Sequence, residues 1–387
     1  MIAMKQRGWS LECSNCAQAT PAKGLETVCP DCGAPWLVRY ENSKPPKELK
    51  SEYAGRVWSM WRYREWLPLT TGEEPVTLGE GATPLLPVPQ LGDALGMSRL
   101  FVKDESVNPT GSFKARGLSA AVTRALGDSA KRLVVPTAGN AGVALSAYGR
   151  RAGMEVQVFA PRSTPSRILE QISLFGANLE LLDGHIGDCG KAAREYAERH
   201  NAFDVSTLRE PYRIEGKKTL GLEIAEQMKW NLPDAVIYPT GGGTGLIGMW
   251  KCFQELRDAG WTSADFPRLY SVQSAGCAPV VRAFDTDSET VAPWENPETV
   301  AKGLRVPAPL GGAIILRAIR ETGGSAVAVD DCSLSEAASR MAAATAVDAS
   351  PEGGATLAAL EKLLASGAID RSENVVIFNT GAGWLYH

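Results

Sequence analysis

From about residue 99 onward the chain repeats one pattern: a short apolar run, a turn rich in glycine or hydroxyl residues, then an amphipathic helix. Leu100-Phe-Val102 reads as a strand, followed by a helix over about residues 113–126. Leu133-Val-Val135 feeds Thr137-Ala-Gly-Asn140 and a helix to Arg151. Strands at 156–159 and 179–182 alternate with helices at 166–175 and 187–199, and a further helix covers 215–229. Ala235-Val-Ile-Tyr238 precedes a loop at 241–245 and a helix at 246–259; a strand at 269–272, helices at 335–347 and 352–364, and a strand at 375–378 complete the pattern. Strands that are apolar throughout are buried on both faces, so this alternation predicts an α/β protein with two parallel-type sheets covered by helices. In such sheets ligands gather where strands end and helices begin. Turns around Asn140, Gly243 and Thr380 have that character, and the lysine segment Asn108-Pro-Thr-Gly-Ser-Phe-Lys-Ala-Arg-Gly117 makes a fourth. All four can converge on one cleft.

Composition removes several function classes. A chain of 387 residues suggests two or three structural units. A net charge of −4 gives no overall attraction to nucleic acid or anionic membrane. No apolar run is long enough to span a bilayer, and Met1-Ile-Ala-Met-Lys-Gln-Arg-Gly-Trp-Ser10 has no apolar signal core, so a cytoplasmic protein is expected. With His185, His200 and His387 as the only histidines, a Ser-His-Asp triad or a multi-histidine metal site has little to draw on.

The N-terminal region stands apart. Cys13-Ser-Asn-Cys16, twelve residues, then Cys29-Pro-Asp-Cys32 fits a tetrahedral structural zinc site that uses all four thiolates and leaves no open position. Degenerate, metal-free thiols are the alternative. Cys189, Cys252, Cys277 and Cys332 read as small core residues. A polar stretch at 41–48 reads as a connector, and the aromatic cluster of Trp58, Trp61, Tyr63 and Trp66 reads as packing.

Four segments carry chemistry. A lysine amine forms an imine with a carbonyl cofactor and serves as a base once substrate displaces it; Lys114 falls in the first helical turn, with Thr110 or Ser112 as candidate caps. In Pro239-Thr-Gly-Gly-Gly-Thr-Gly-Leu246, backbone N–H groups and a helix N-terminus suit a phosphate, although neither the Walker lysine nor GxGxxG spacing is present. Asn140 can hydrogen-bond a ring hydroxyl, while neighbouring amides suit a carboxylate. A hydroxyl at Thr380, facing a pyridine nitrogen, would leave that nitrogen largely unprotonated. Read singly, these are also a surface lysine, a ligand-free turn and a helix cap.

Together and in this order, the segments resemble the fold-type II pyridoxal-phosphate enzymes (tryptophan synthase β-like), most closely the threonine synthase family. Asn108–Gly117, Glu210-Pro-Tyr-Arg-Ile-Glu-Gly-Lys-Lys-Thr219, Tyr238–Gly245 and Ala301-Lys-Gly-Leu-Arg-Val306 carry the likeness, which covers nearly the whole chain. The resemblance implies a zinc-ribbon-like module over residues 1–45, a large cofactor-binding domain from 46–98 and 205–387, and a small α/β domain over 99–204. It makes Lys114 the Schiff-base lysine and places Asn140 at the cofactor's ring oxygen. Gly241, Gly242, Gly243, Thr244 and Gly245 would cradle the cofactor phosphate, with Thr380 at the ring nitrogen. Thr83, Thr137, Ala138, Gly139 and Ala141 would line the substrate, and Arg213 with Lys217 or Lys218 would take its phosphate. Lys217 and Lys218, adjacent on a helix, are not expected both to point inward.

The family's reaction converts O-phospho-L-homoserine and water to L-threonine and phosphate by γ-elimination and β-hydration, with Lys114 as the proton shuttle. Ala115, Ala138 and Ala141 depart from the usual family pattern. They keep open a threonine/serine dehydratase, or a paralogue acting on another phosphorylated amino acid, such as a cysteate synthase. A small phosphorylated amino acid and a second copy of the chain, in a homodimer, are the expected partners, with no nucleic acid or membrane.

Overall fold

A computed structural model describes residues 8–41, 44–262 and 265–386; the segment before Gly8, part of the 41–48 connector and His387 lie outside the described residues. In chain order the elements begin with β1 (Trp9–Cys13), β2 (Ala19–Pro21), β3 (Trp36–Tyr40), α1 (Leu49–Tyr53), β4 (Leu85–Pro87), α2 (Pro89–Leu95) and β5 (Leu100–Asp104). Next come α3 (Lys114–Gly127), β6 (Arg132–Pro136), α4 (Asn140–Arg151), β7 (Glu155–Pro161), α5 (Ser166–Leu174), β8 (Asn178–Leu182), α6 (Ile186–His200) and β9 (Phe203–Asp204). The remainder comprises α7 (Tyr212–Gln227), β10 (Ala235–Pro239), α8 (Thr244–Asp258), β11 (Arg268–Ser274), α9 (Pro279–Asp285), α10 (Gly312–Glu321), β12 (Ala326–Val329), α11 (Asp331–Thr345), α12 (Pro351–Ala365) and β13 (Val375–Asn379).

Two compact units emerge. The first takes residues up to Ala82, Lys114–Thr219 and Asp258–Gly260; the second takes Thr83–Phe113, Leu220–Arg257 and the chain from Trp261 on. Within the first, β2-β1-β3 form an antiparallel sheet whose inner residues Leu11, Cys13, Trp36, Leu37 and Val38 are buried. The same unit holds a four-stranded parallel sheet ordered β8-β7-β6-β9. Of the aromatic cluster, Trp61, Tyr63 and Trp66 are buried, with the Trp66 indole donating to Tyr53 Oη at 3.0 Å. Trp58 is the exception: it is exposed and lies under the Arg62 guanidinium.

The second unit is built on a six-stranded sheet ordered β12-β11-β10-β13-β5-β4. All its pairings are parallel except β4 with β5, where Leu85 opposes Lys103. The core on one face joins Ile237, Val272 and Ile377 of the strands to Leu334 and Met341 of α11 and Leu357 and Leu360 of α12. Removing such side chains from water, at about 25 cal/mol per Å² of apolar surface, is the main force holding helices to sheet.

The single cysteines divide. Cys189, Cys252 and Cys277 are buried, but Cys332 is exposed. In α11 the buried stripe is Leu334, Ala337 and Met341, and Cys332 falls on the opposite side of the helix, where its thiol meets Glu336. No described helix is long and apolar enough to cross a membrane.

Candidate active site

The turn before Lys114 is fixed by backbone pairing within the second unit. Gly111, at φ +67°, donates its amide to Asn108 O at 2.8 Å, and Phe113 N donates to Thr380 O at 3.0 Å. Ala382 N donates to Gly111 O at 2.9 Å, so the segment after β13 is stitched to this turn. The Tyr238 ring packs edge-on against both Phe113 and Phe378, with centroids 6.0 and 4.9 Å away. Lys114 is the next residue and opens α3. The cap expected from Thr110 or Ser112 is not made: both hydroxyls are buried without a hydrogen-bond partner. Leaving such groups unmet costs about 1–3 kcal/mol each, a cost that a polar ligand reaching them would offset.

The glycine loop has the geometry of an anion cradle. A Cβ on Gly241 would stand 2.2 Å from Gly303 O, one on Gly245 2.0 Å from Tyr238 Oη, and Gly243 combines φ +80° with an approach of 2.3 Å to Ile315. Glycine is therefore required by what packs behind the loop. The bond from Ile247 N to Gly243 O, 2.9 Å, is the first of α8, so the amides before it have no acceptor within the helix. A phosphate fits that end of the helix. These buried hydroxyls and this loop are the groups in the second unit that fit pyridoxal phosphate.

In the first unit, residues 137–141 turn from β6 into α4. Thr137 is the cap: its hydroxyl accepts from Gly139 N and Gly142 N, both at 3.1 Å, and donates to Gly139 O at 2.8 Å. Asn140 is thus relieved of capping and forms the first residue of the helix. Ala138, Gly139, Asn140 and Ala141 are all half-buried.

Helix α7 overturns one expectation. Lys217 and Lys218 are both fully buried, because residues 212–225 are buried on every side of the helix and no solvated face exists to receive either. They point to different surroundings, about 100° apart around the axis. Lys218 pairs with Glu215 at 2.7 Å, and that carboxylate also accepts from Tyr40 Oη at 2.5 Å. Lys217 lies with Arg213 against α3, where a Cβ on Gly117 would come within 3.0 Å of both the Arg213 carbonyl and Lys217 Cε.

Arg213 is 1% exposed. It donates Nη1 to Val205 O at 2.7 Å, while Nε and Nη2 have no partner. Burial pulls its pKa down, opposed by Glu210 and Asp204. Glu210 caps α7, accepting from Tyr212 N at 2.7 Å and Arg213 N at 3.0 Å. Its own burial outweighs those bonds and lifts its carboxyl to about 7.

Thr83 sits in the second unit, inside a buried polar cluster. Its hydroxyl donates to Glu105, whose carboxylate also accepts from Asn108 Nδ2 at 2.9 Å. Its amide donates to Glu223 at 3.2 Å, and Glu223 pairs with buried Lys103 at 2.9 Å. Sequence reasoning passed over Glu223 and Lys103 because they pair across 120 residues of chain, and over Glu105 because its link to Thr83 spans 22. Glu210, by contrast, opens a segment already singled out.

The four module cysteines come together, all sulfurs lying within 4.8 Å of one another. Cys13 and Cys32 are 3.4 Å apart, and Cys16 is 3.7 Å from both Cys29 and Cys32. Four sulfurs about 2.3 Å from one tetrahedral ion stand about 3.8 Å apart, so the set fits zinc. The amides of Asn15 and Cys16 point at the Cys13 sulfur, at 3.4 and 3.5 Å, and favour its thiolate.

A family profile described as "Pyridoxal-phosphate dependent enzyme" matches residues 76–381. Curated relatives include a threonine synthase of Methanosarcina acetivorans, 33% identical over 377 residues, covering 96% of this chain and 91% of that protein. A threonine synthase of Methanocaldococcus jannaschii is 32% identical, again covering 96% of this chain and 91% of its own. Among solved structures, a maize serine racemase superimposes with a TM-score of 0.70 at 20% identity, covering 88% of this chain and 94% of its own, a likeness of fold. The fold is that of the fold-type II group, with a cysteine module added.

Proposed function

The chain belongs to the pyridoxal-phosphate-dependent enzyme family, and on that premise we propose that it catalyses the threonine synthase reaction, converting O-phospho-L-homoserine and water to L-threonine and phosphate. The observation that carries the substrate choice is Arg213: a buried guanidinium with Nε and Nη2 unmet, beside Lys217 on the same side of α7. A planar donor fork with an adjacent ammonium suits a phosphate dianion. A dehydratase acting on an unphosphorylated amino acid gives such a pair nothing to bind. Lys218, tied to Glu215, is the less suitable of the two lysines.

The cofactor, when bound, supplies a conjugated ring that takes up the electron pair left at the substrate's α-carbon. Lys114 would hold it, Gly241, Gly242, Gly243, Thr244 and Gly245 would cradle its phosphate, and Asn140 and Thr380 would address its ring oxygen and ring nitrogen. Lys114 Nζ would take the α-proton and then a second proton from the β-carbon. The γ-carbon–oxygen bond breaks with its electron pair leaving on phosphate, whose charge Arg213 and Lys217 stabilise. Water then adds its hydroxyl at the β-carbon, and the two protons removed earlier are replaced by one delivered to the γ-carbon, completing the methyl group, and one returned to the α-carbon. Thr137, Ala138, Gly139 and Ala141 would receive the substrate carboxylate at the α4 N-terminus, and Thr83 would complete the substrate side. In the same reading the cysteine module holds structural zinc and the protein is cytoplasmic, and family likeness alone supports a homodimer.

The test is direct. Incubation with O-phospho-L-homoserine should release phosphate and threonine in equal amounts. Consumption of threonine to a 2-oxo acid would replace this reading with a dehydratase, and turnover of phosphoserine alone would indicate a paralogue.

A further inference from the structure

The cysteine module meets the rest of its unit at one end of its sheet. Trp9 of β1 and Tyr40 of β3 are directly paired there. The Arg124 guanidinium of α3 stacks 5.1 Å from the Trp9 ring and 5.9 Å from that of Tyr212 in α7. Tyr40 reaches α7 itself: its hydroxyl donates to Glu215, and its ring lies 4.4 Å below Lys218 Nζ. Glu215 and Lys218 are both fully buried.

Helical geometry separates two sides of α7. At 100° per residue, Tyr212, Glu215 and Lys218 fall on one side and Arg213 and Lys217 on the other. The first side is held by the module. The second faces α3 at Gly117. A buried ion pair is held only where further hydrogen bonds complete it, and Tyr40 supplies one to Glu215 at 2.5 Å. Tyr40 thus ties the module to the side of α7 opposite Arg213 and Lys217, and so fixes the rotation of the helix about its axis.

We infer that Tyr40 of the cysteine module is a positioning residue for the phosphate-binding side of α7, acting through Glu215 and Lys218 to hold the helix in the rotation that presents Arg213 and Lys217. The module is then part of the machinery that binds the substrate anion. This rests on the assignment of Arg213 and Lys217 to phosphate made above.

The probe is inorganic phosphate, titrated calorimetrically into the cofactor-loaded full chain. Tyr40→Phe should weaken its binding about tenfold, the loss of one hydrogen bond to a buried charge. Lys218→Met should do the same, and the double variant should be little worse than either single one, since both act through Glu215. In turnover, KM for O-phospho-L-homoserine should rise more than kcat falls. Tyr40→Phe binding phosphate like the parent, while Arg213→Met loses it, overturns the inference and leaves the functional reading intact. Arg213→Met binding phosphate like the parent overturns both. If cofactor absorbance falls in parallel with phosphate affinity in Tyr40→Phe and Lys218→Met, general loosening is the cause and the inference fails.

Discussion

Gly216 of α7 rests on the backbone of Arg116 in α3, so closely that a Cβ on it would stand 2.1 Å from the Arg116 carbonyl oxygen and 2.9 Å from Gly117 Cα. The two helices cross there, and the crossing sets where Arg213 and Lys217 lie relative to the start of α3. Gly216→Ala should therefore cost about 1–3 kcal/mol of stability, because the obstacle is backbone and cannot rotate aside. Gly117→Ala should cost less, since one of its two closest contacts, at 3.0 Å, is the flexible Lys217 side chain. Urea unfolding of both variants would check the order; equal costs would refute it.

Lys114→Ala should remove the visible absorbance of the loaded enzyme and lower turnover by at least about a hundredfold, the scale of a lost proton-transfer group. The fold should survive, because Lys114 opens α3 and the preceding turn is held by Phe113 N to Thr380 O and Ala382 N to Gly111 O. Far-UV circular dichroism beside an absorbance spectrum separates the two effects. Retention of full turnover would end the proposed chemistry.

What the chain disclosed in advance was local chemistry. Lys114, Asn140 and the 241–245 loop fall where the sequence pattern puts them, at the start of α3, the start of α4 and the turn into α8, and most parallel strands declare themselves by apolar runs, whereas β9 and β12 do not figure in that pattern. What stayed hidden depends on distant partners. Lys217 and Lys218 look like a pair of which one must face solvent, until Tyr40 arrives from 175 residues earlier to share the burial of Lys218 and Glu215. Strand β4 is three residues ending in Pro87, too short to announce itself, and becomes a strand only by pairing with β5. Thr110 and Ser112 have the right residue type for caps but are turned into buried positions without partners.

Loss of metal from the cysteine module should be felt beyond it. Cys13 is buried at the end of β1, so Cys13→Ser should remove bound zinc and lower the thermal midpoint. Elemental analysis should find about one zinc per parent chain and far less in the variant. Absence of metal from parent protein prepared without chelator would refute the zinc assignment.

Glu210 gives stability a dependence on pH with a definite sign. Burial lifts its carboxyl from 4.5 to about 7, against the opposing pull of Arg213 and the amides of Arg213 and Tyr212. Between those values the folded protein holds a proton that the unfolded chain has released, so this group's contribution to stability falls as pH rises from about 4.5 to about 7 and is level above that. Glu210→Gln keeps an acceptor for the α7 amides but cannot ionise. Its unfolding free energy should therefore fall less than the parent's between pH 5 and 7, the interval that this shift spans. Urea titrations at several pH values, with parent and variant side by side, measure the difference in slope. Parallel curves would show that the buried carboxyl does not titrate in that range.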